Sequence, residues 1–442
     1  MSTPHLHAVR GEILHFVADP ASAGEAALEH FADGLLLLRD GHVAELGPAP
    51  ELLARLPAEL PLTDHRGKLI LPGFVDTHIH YAQTDIIASH GEQLLAWLEK
   101  YTFPAEARFA DPAHARRVAD FFCDELLRNG TTTALAFATV HAASVDALFE
   151  AALERRMRMI SGKVLMDRHC PDFLRDTAAG GYAESKALIE RWHGRDRLQY
   201  AVTPRFAATS TPEQMRLAGR LYAEHPGVYL QSHVAENQGE VAWVAGLYPE
   251  ARSYLDVYDR FGQLGMRSVY AHCIWLDDTD RRRMAETGAA ISFCPTSNLF
   301  LGSGLFDLGR ARELGLRVGV GTDVGAGTSF SMLQTLNEAY KVLQLKGQKL
   351  SAASAFHLAT LGGAHSLYLD ERVGNFLPGK EADFVVLDPA ATPLLARRMA
   401  CAQTLDERLF VLMMLGDDRT VAATYVMGEA AWVRELAPAR AA

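Results

Sequence analysis

The sequence has few cysteines and lacks both basic runs and long apolar runs. Its five cysteines among 442 residues are scattered and odd in number, which favours reduced thiols in a cytoplasm over a disulfide framework. Lys and Arg number 43 against 54 Asp and Glu, a formal net charge of −11, which argues against a nucleic-acid partner. No apolar run approaches the ~20 residues that cross a bilayer, so no membrane partner is expected. Met1–His7 carries no basic segment followed by an apolar run, so no signal peptide is expected.

The length of the chain favours one large domain and a smaller one. Both ends are β-rich, with Asp40-Gly41 between two apolar runs as a hairpin signal. Each end alone is too short for a sheet with a packed face, so the two ends are expected to combine into one small domain. The predicted division is residues 1–70 and 375–442 for this domain and 71–374 for the large one.

The large domain alternates short apolar strands with amphipathic helical segments. The candidate strands are Val75–His80, Thr131–Phe137, Met159–Met166, Leu198–Pro204, Val228–His233, Ser268–His272, Ala289–Cys294 and Leu316–Asp323. The candidate helices include Pro112–Asn129, Ser144–Arg158, Pro212–Glu224 and Asp277–Thr287. This alternation predicts an α/β fold, a (β/α)8 TIM-like barrel with its active residues at the carboxyl ends of the strands. An open doubly wound sheet is the alternative, but no Gly-rich dinucleotide turn follows an early strand.

A His-X-His pair ends the first predicted barrel strand. His78 and His80 follow the turn signal Leu71-Pro-Gly73. Because side chains alternate faces along a strand, both imidazoles project on one side, roughly 6–7 Å apart. Both can therefore reach one metal ion at about 2.0–2.1 Å. Taken alone, the pair is equally compatible with an exposed or a core histidine pair.

Three further candidate ligands end later strands. His233 ends the fifth, His272 the sixth and Asp323 the eighth, and all would lie on the same rim of one barrel as His78 and His80. Three imidazoles and one carboxylate, with an open position for water, are typical of catalytic zinc, or of iron on the same ligand set.

This ligand set resembles the metal-dependent amidohydrolase superfamily. Four further segments resemble the guanine deaminase family within it: Leu95–Glu106, Val202–Phe206, Ser232–Asn237 and Cys294–Asn298. The resemblance covers nearly the whole chain. It implies a barrel with a composite β-sandwich, and hydrolytic deamination of guanine, a small purine base, to xanthine and ammonia in purine catabolism. It also implies a homodimer.

The resemblance implies a role for each site residue. One Zn2+ per chain, with Fe2+ as the alternative, would be held by His78, His80, His233 and Asp323. A single metal is favoured because the fourth strand carries no bridging lysine, and Lys163 on the third strand is interpreted as structural. The implied base contacts are His80, Gln83, Arg205, Phe206, His233, Glu236 and Asp323.

The predicted catalytic residues are Asp323, Glu236 and His272, and the first two transfer protons. Asp323 would accept a proton from the attacking water, and Glu236 would pass a proton to a ring nitrogen of the base. His272 would orient the attacking oxygen, with direct metal ligation as the alternative. Cys294 is expected to pack beside the site.

Two classes of alternative remain. A deaminase of another aminopurine, a pterin or an aminotriazine, or a related dechlorinating or amide-hydrolysing enzyme, would keep the ligands and change the pocket. A non-catalytic scaffold on this fold is the other alternative, and the complete ligand set argues against it.

Overall fold

The strands of the computed structural model, which describes residues 6–435, form two sheets. The strands are β1 Leu6–Phe16, β2 Leu28–Arg39, β3 His42–Pro48, β4 Leu62–Pro72, β5 Phe74–His80, β6 Thr131–Phe137, β7 Arg158–Gly162, β8 Val164–Leu165, β9 Leu198–Pro204, β10 Tyr229–Val234, β11 Ser268–His272, β12 Ala290–Phe293, β13 Arg317–Val320, β14 Phe384–Leu387, β15 Val421–Val426 and β16 Glu429–Val433.

Helices fill the connections between these strands. They are α1 Pro20–Ala23, α2 Ala49–Leu53, α3 Leu94–Trp97, α4 Phe103–Ala107, α5 Pro112–Arg128, α6 Ala142–Glu154, α7 Ala178–Trp192, α8 Pro212–Glu224, α9 Gln238–Leu247, α10 Tyr254–Arg260, α11 Asp278–Thr287, α12 Pro295–Phe300, α13 Leu308–Glu313, α14 Met332–Leu345, α15 Ala352–Leu358, α16 Leu361–Ser366, α17 Pro393–Met399 and α18 Leu405–Leu415. No helix among the described residues is both long and apolar enough to cross a lipid bilayer.

The first sheet is the predicted parallel barrel. Its order is β5-β6-β7-β9-β10-β11-β12-β13, with β8 paired to β9, so the third predicted strand is divided into two short pieces. Backbone hydrogen bonds join the two ends of the sheet: Asp323 N donates to His78 O at 2.9 Å, and His80 N donates to Val324 O at 2.9 Å. The α/β barrel predicted from the alternation of strands and helices is therefore confirmed.

The second sheet combines both ends of the chain, as predicted. Its order is β16-β15-β14-β4-β1-β2-β3, in which β1 and β4 are parallel and the other pairs antiparallel. The domain limits after residues 70 and 374 stay predictions, and residues 1–5 and 436–442 of these segments lie outside the described residues.

Two helices interrupt the C-terminal segment, which the sequence pattern predicted as β-rich. The correction is that α17 and α18 lie between β14 and β15. The Thr404 side chain caps the start of α18, and the Glu407 side chain accepts from the Thr404 backbone N–H. This capping box, followed by an apolar run, outweighs the β-rich flanks.

The two sheets meet where β4 continues into β5 through Gly73. A Cβ atom at this glycine would lie 2.2 Å from the Thr132 hydroxyl oxygen, so no larger residue fits. Some side chains of the second sheet, including Leu14, Leu69 and Val385, join the large apolar cluster of the barrel, and others, including Val9, Ile70 and Phe384, form a cluster within the second sheet.

A buried ion-pair network links the barrel to the second sheet. Arg197 Nη2 donates to Glu381 Oε2 at 2.6 Å and also pairs with Asp383, while Arg158 Nε donates to Glu381 Oε2 at 3.1 Å. All four side chains are buried. The network leaves few polar atoms unpaired, which is the condition under which buried charges are tolerated.

Replacing Arg197 with Met should destabilise the protein strongly, because Asp383 would keep its buried charge without its cation. Breaking a buried pair costs about 3–5 kcal/mol in the free energy of unfolding. The midpoint of urea unfolding measures the loss. Arg216→Met is the matched control, since Arg216 pairs with Glu213 on an exposed helix face and should cost at most ~1 kcal/mol. Equal unfolding midpoints for the two variants would contradict the claim that the buried network stabilises the protein.

Candidate active site

The five predicted metal-site residues converge at the carboxyl ends of the barrel strands. β5 carries His78 and His80, β10 carries His233, β11 ends at His272, and Asp323 follows β13 by three residues. His272 and Asp323 adopt positive φ angles of 72° and 51°. Non-glycine residues rarely adopt this left-handed backbone, and such strain clusters at functional sites.

Four atoms that could bind one metal ion form a compact cage. His80 Nε2 lies 3.2 Å from His78 Nε2 and 3.1 Å from His233 Nε2. Asp323 Oδ1 lies 3.2 Å from His78 Nε2 and 3.4 Å from His80 Nε2. Four donors placed about 2.0–2.1 Å from one centre in a tetrahedron are separated by about 3.3 Å, so the cage fits a single Zn2+-sized cation.

The neutral state of the His80 and His233 imidazoles also favours binding of a cation. His233 Nδ1 donates to the Arg205 carbonyl at 2.7 Å, which leaves the Nε2 lone pair facing the cage. Burial lowers the pKa of His80 to about 3 and the pKa of His233 well below its ordinary value. Both rings are therefore neutral, the form that binds metal.

His272 lies beside the cage. Its Nδ1 is 2.8 Å from Asn298 Oδ1, and its Nε2 is 3.3 Å from Glu236 Oε2 and 3.8 Å from Asp323 Oδ2. Because Asn298 Oδ1 can only accept, Nδ1 carries the proton and Nε2 presents its lone pair to the site. The predicted orienting role and direct ligation both use this lone pair, and the choice between them stays a prediction.

Glu236 lies in the short loop between β10 and α9, two residues after the strand ends. Its Oε1 accepts a hydrogen bond from the Ser303 hydroxyl at 3.0 Å. Burial and the nearby Asp323 carboxylate raise the pKa of Glu236 to about 8. The carboxyl group therefore holds a proton at neutral pH, as a general acid must.

A small pocket opens over the cage. The predicted base contacts Gln83, Arg205 and Phe206 line it, together with His80, His233, Glu236 and Asp323. Its apolar wall comes from Leu94, Trp97, Leu98 and Leu301. The pocket thus combines an apolar wall with a few polar groups.

Several functional neighbours were not found from the sequence. Glu106 accepts from Arg205 Nη1 with both carboxylate oxygens, each at 2.8 Å. Asp76 accepts from the backbone N–H groups of His78 and Thr322, each at 3.1 Å. Both belong to segments already singled out, Leu95–Glu106 and the strand that carries the His-X-His pair. Their partners Arg205 and Thr322, however, lie 99 and 246 residues away in the chain.

The surroundings of Lys163 and Cys294 are those of non-catalytic residues, as the sequence predicted. The Lys163 ammonium pairs with Asp176 and lies 3.4 Å from Glu184. Burial and Asp323 raise the pKa of the Cys294 thiol well above its ordinary value. A lysine held by two carboxylates and a protonated thiol both agree with structural roles.

The barrel and the convergent histidine and aspartate side chains define a metal-dependent hydrolase barrel. The model of the amidohydrolase family matches residues 69–431, and the chain belongs to this family.

Within the family, the chain is similar to guanine deaminases along its whole length. It is 55% identical to the guanine deaminase of Escherichia coli over 98% of this chain and 100% of that protein. The solved E. coli structure covers 97% of this chain and 100% of its own, with a TM-score of 0.95. A guanine deaminase from C. acetobutylicum, solved with guanine in its active site, is 29% identical over 96% of this chain and 99% of its own, with a TM-score of 0.87.

Zinc titration of metal-free protein should end at one tightly bound ion per chain, because the four cage atoms surround one centre. His80→Asn should weaken zinc binding by more than about 100-fold, since even loss of a second-shell partner costs 10–100-fold. Elemental analysis after dialysis against solutions of known zinc concentration gives both the number of bound ions per chain and the change in zinc affinity. The exposed His42 supplies the control, and His42→Asn should bind zinc normally. Two tightly held ions per chain would contradict the single cage.

Proposed function

We propose that this chain catalyses the hydrolytic deamination of guanine to xanthine and ammonia. The observation that carries the proposal is that the cage, the protonated Glu236 and the Arg205 guanidinium all face one small pocket. This arrangement occurs in a chain that is 55% identical, along its whole length, to a guanine deaminase.

The resident metal would be held by His78, His80, His233 and Asp323. We propose Zn2+, with Fe2+ as the alternative on the same ligands. When bound, such an ion would lower the pKa of a coordinated water to about 7 and so supply a hydroxide nucleophile at neutral pH.

The side chains around the cage move the protons. Glu236 donates its proton to a ring nitrogen of guanine, which makes the amine-bearing carbon more electrophilic. Asp323 accepts a proton from the attacking water through Oδ2, and the His272 lone pair fixes the orientation of that water. As a carbon–oxygen bond forms and the carbon–nitrogen bond breaks, the proton taken by Asp323 passes to the leaving amine, which departs as ammonia. The Glu236 carboxylate takes up the proton of the new carbon-bound hydroxyl group as this group becomes the carbonyl of xanthine, so Glu236 is protonated again at the end of the cycle.

Recognition of the base rests on three side chains. Gln83 and Arg205 present amide and guanidinium groups to the edge of a planar heterocycle, and Phe206 offers an aromatic face. A nucleoside would have to place its ribose where the edge of the ring meets Arg205. A free base therefore fits better than a nucleoside.

The homodimer and the cytoplasmic location stay predictions. The first derives from the family resemblance and the second from the scattered cysteines. A deaminase of another aminopurine, a pterin or an aminotriazine is the second candidate, and a substrate panel separates it from the first.

Glu236→Gln should abolish turnover, because the amide keeps the shape of the side chain but cannot donate a carboxylic proton. We expect a loss of at least about 10²-fold in the rate of ammonia release. Zinc content and the unfolding midpoint should match the unmodified protein. The exposed Glu213 provides the control, and Glu213→Gln should be fully active. Near-normal turnover by Glu236→Gln would remove this residue from the proton-transfer scheme.

In a panel of free bases and nucleosides, guanine should be the preferred substrate, with adenine, cytosine and guanosine poor. A site that hydrogen-bonds specific groups rejects analogues lacking them by roughly 10⁴-fold. The measurement is kcat/KM from ammonia release on zinc-loaded protein. Arg205→Ala should lose guanine turnover at unchanged zinc occupancy, whereas exposed Arg216→Ala should not. Equal efficiency on adenine or guanosine would overturn the assignment.

A further inference from the structure

Glu106 lies directly behind the pocket wall. It belongs to α4 and is fully buried, with 0% of its surface exposed, and it does not line the pocket itself. Arg205, which does line the pocket, is 2% exposed. Bulk water solvates neither charged group, so the stability of each charge depends on its protein partners.

The hydrogen bonds of Glu106 indicate which protonation state its carboxyl group adopts. Both of its oxygens accept from the same Arg205 nitrogen, Nη1, at 2.8 Å, and the Gln83 side chain also hydrogen-bonds to the carboxylate. Burial raises the pKa of Glu106, and Arg205 and Gln83 oppose that shift. Because both oxygens act as acceptors, the carboxylate is the form that the geometry accommodates.

This pairing uses only one nitrogen of the guanidinium group. Within residues 6–435, the structure gives Arg205 Nε and Nη2 no protein acceptor. These N–H groups remain donors for a ligand in the pocket. The face of the guanidinium group packs over Phe103, with Cζ 5.5 Å from the ring centroid, so the group cannot turn away freely.

We propose that Glu106 is a specificity-determining, positioning residue that makes the pocket select neutral bases over anionic ones. It cancels the charge of Arg205 while leaving the Nε and Nη2 donors available. A buried guanidinium without this partner would attract an anion strongly, since charges in a low-dielectric site interact far more than in water. This inference rests on the proposed function, because it concerns how the same pocket treats substrate and product.

The proposal has a consequence for product release. Deamination replaces the amine of guanine with a carbonyl oxygen and creates an additional acidic ring N–H, so xanthine loses a proton more readily than guanine. An unpaired Arg205 would hold ionised xanthine in the pocket. The Arg205–Glu106 pair removes that attraction and lets the product leave.

The test compares two ligands of similar shape on zinc-loaded protein. Xanthine is an anion and hypoxanthine is neutral at a mildly alkaline pH, and calorimetry gives the Kd of each without any turnover. The measured quantity is the ratio of the xanthine Kd to the hypoxanthine Kd. It is determined for the unmodified protein, for Glu106→Gln, and for the double variant Glu106→Gln with Arg205→Gln.

Glu106→Gln should lower this ratio by at least about tenfold, because the guanidinium charge is no longer cancelled. The double variant should restore the ratio of the unmodified protein, because the pocket wall is again neutral. A merely structural role for Glu106 would weaken both ligands alike and leave the ratio unchanged in both variants, and that result overturns the proposal. Should Glu106→Gln fail to fold, Glu106→Ala in the same comparison carries the same expectation.

Guanine turnover by the unmodified protein is measured separately from these affinities. Absence of ammonia release with the expected change in the Kd ratio would refute the proposed reaction but not the role of Glu106. Normal ammonia release with an unchanged Kd ratio would refute the role of Glu106 but not the proposed reaction.

Discussion

The site depends on the hydrogen bonds that join the last barrel strand to the first. Asp323 N donates to His78 O, His80 N donates to Val324 O, and the Asp76 carboxylate holds the Thr322 backbone N–H. Through these bonds an aspartate lies within 3.4 Å of imidazoles more than 240 positions earlier in the chain. Parallel strands bring their carboxyl ends to one rim, and closure of the rim converts five scattered polar residues into one centre.

Burial then determines what each group at that centre can do. It lowers the pKa of His80 and His233 so that both rings are neutral, holds a proton on Glu236 and requires a carboxylate partner for the Arg205 guanidinium. The metal cage and the recognition pocket are also joined directly, because His233 Nδ1 donates to the carbonyl of Arg205. A change that moves the Arg205 backbone would therefore disturb a proposed metal ligand as well as a base contact, whereas a change confined to the Arg205 side chain leaves this carbonyl in place.

Local patterns in the sequence predicted the barrel strands and the ligand set, because both depend on short-range features: apolar runs that end in polar residues, and the two-residue histidine spacing. They did not predict α17 and α18, since flanking β-rich segments obscured the capping box at Thr404. Glu106 and Ser303 were missed for a different reason. Their partners Arg205 and Glu236 lie 99 and 67 residues away, and no local pattern signals such pairing.

X-ray absorption spectroscopy of zinc-loaded protein tests the central claim, a single metal held by three imidazoles and one carboxylate. The account predicts nitrogen and oxygen neighbours at about 2.0–2.1 Å, with the multiple-scattering signature of imidazole rings. It also predicts neither sulfur at about 2.3 Å nor a second metal at about 3.5–4 Å. A sulfur shell or a metal–metal vector would contradict the cage formed by His78, His80, His233 and Asp323.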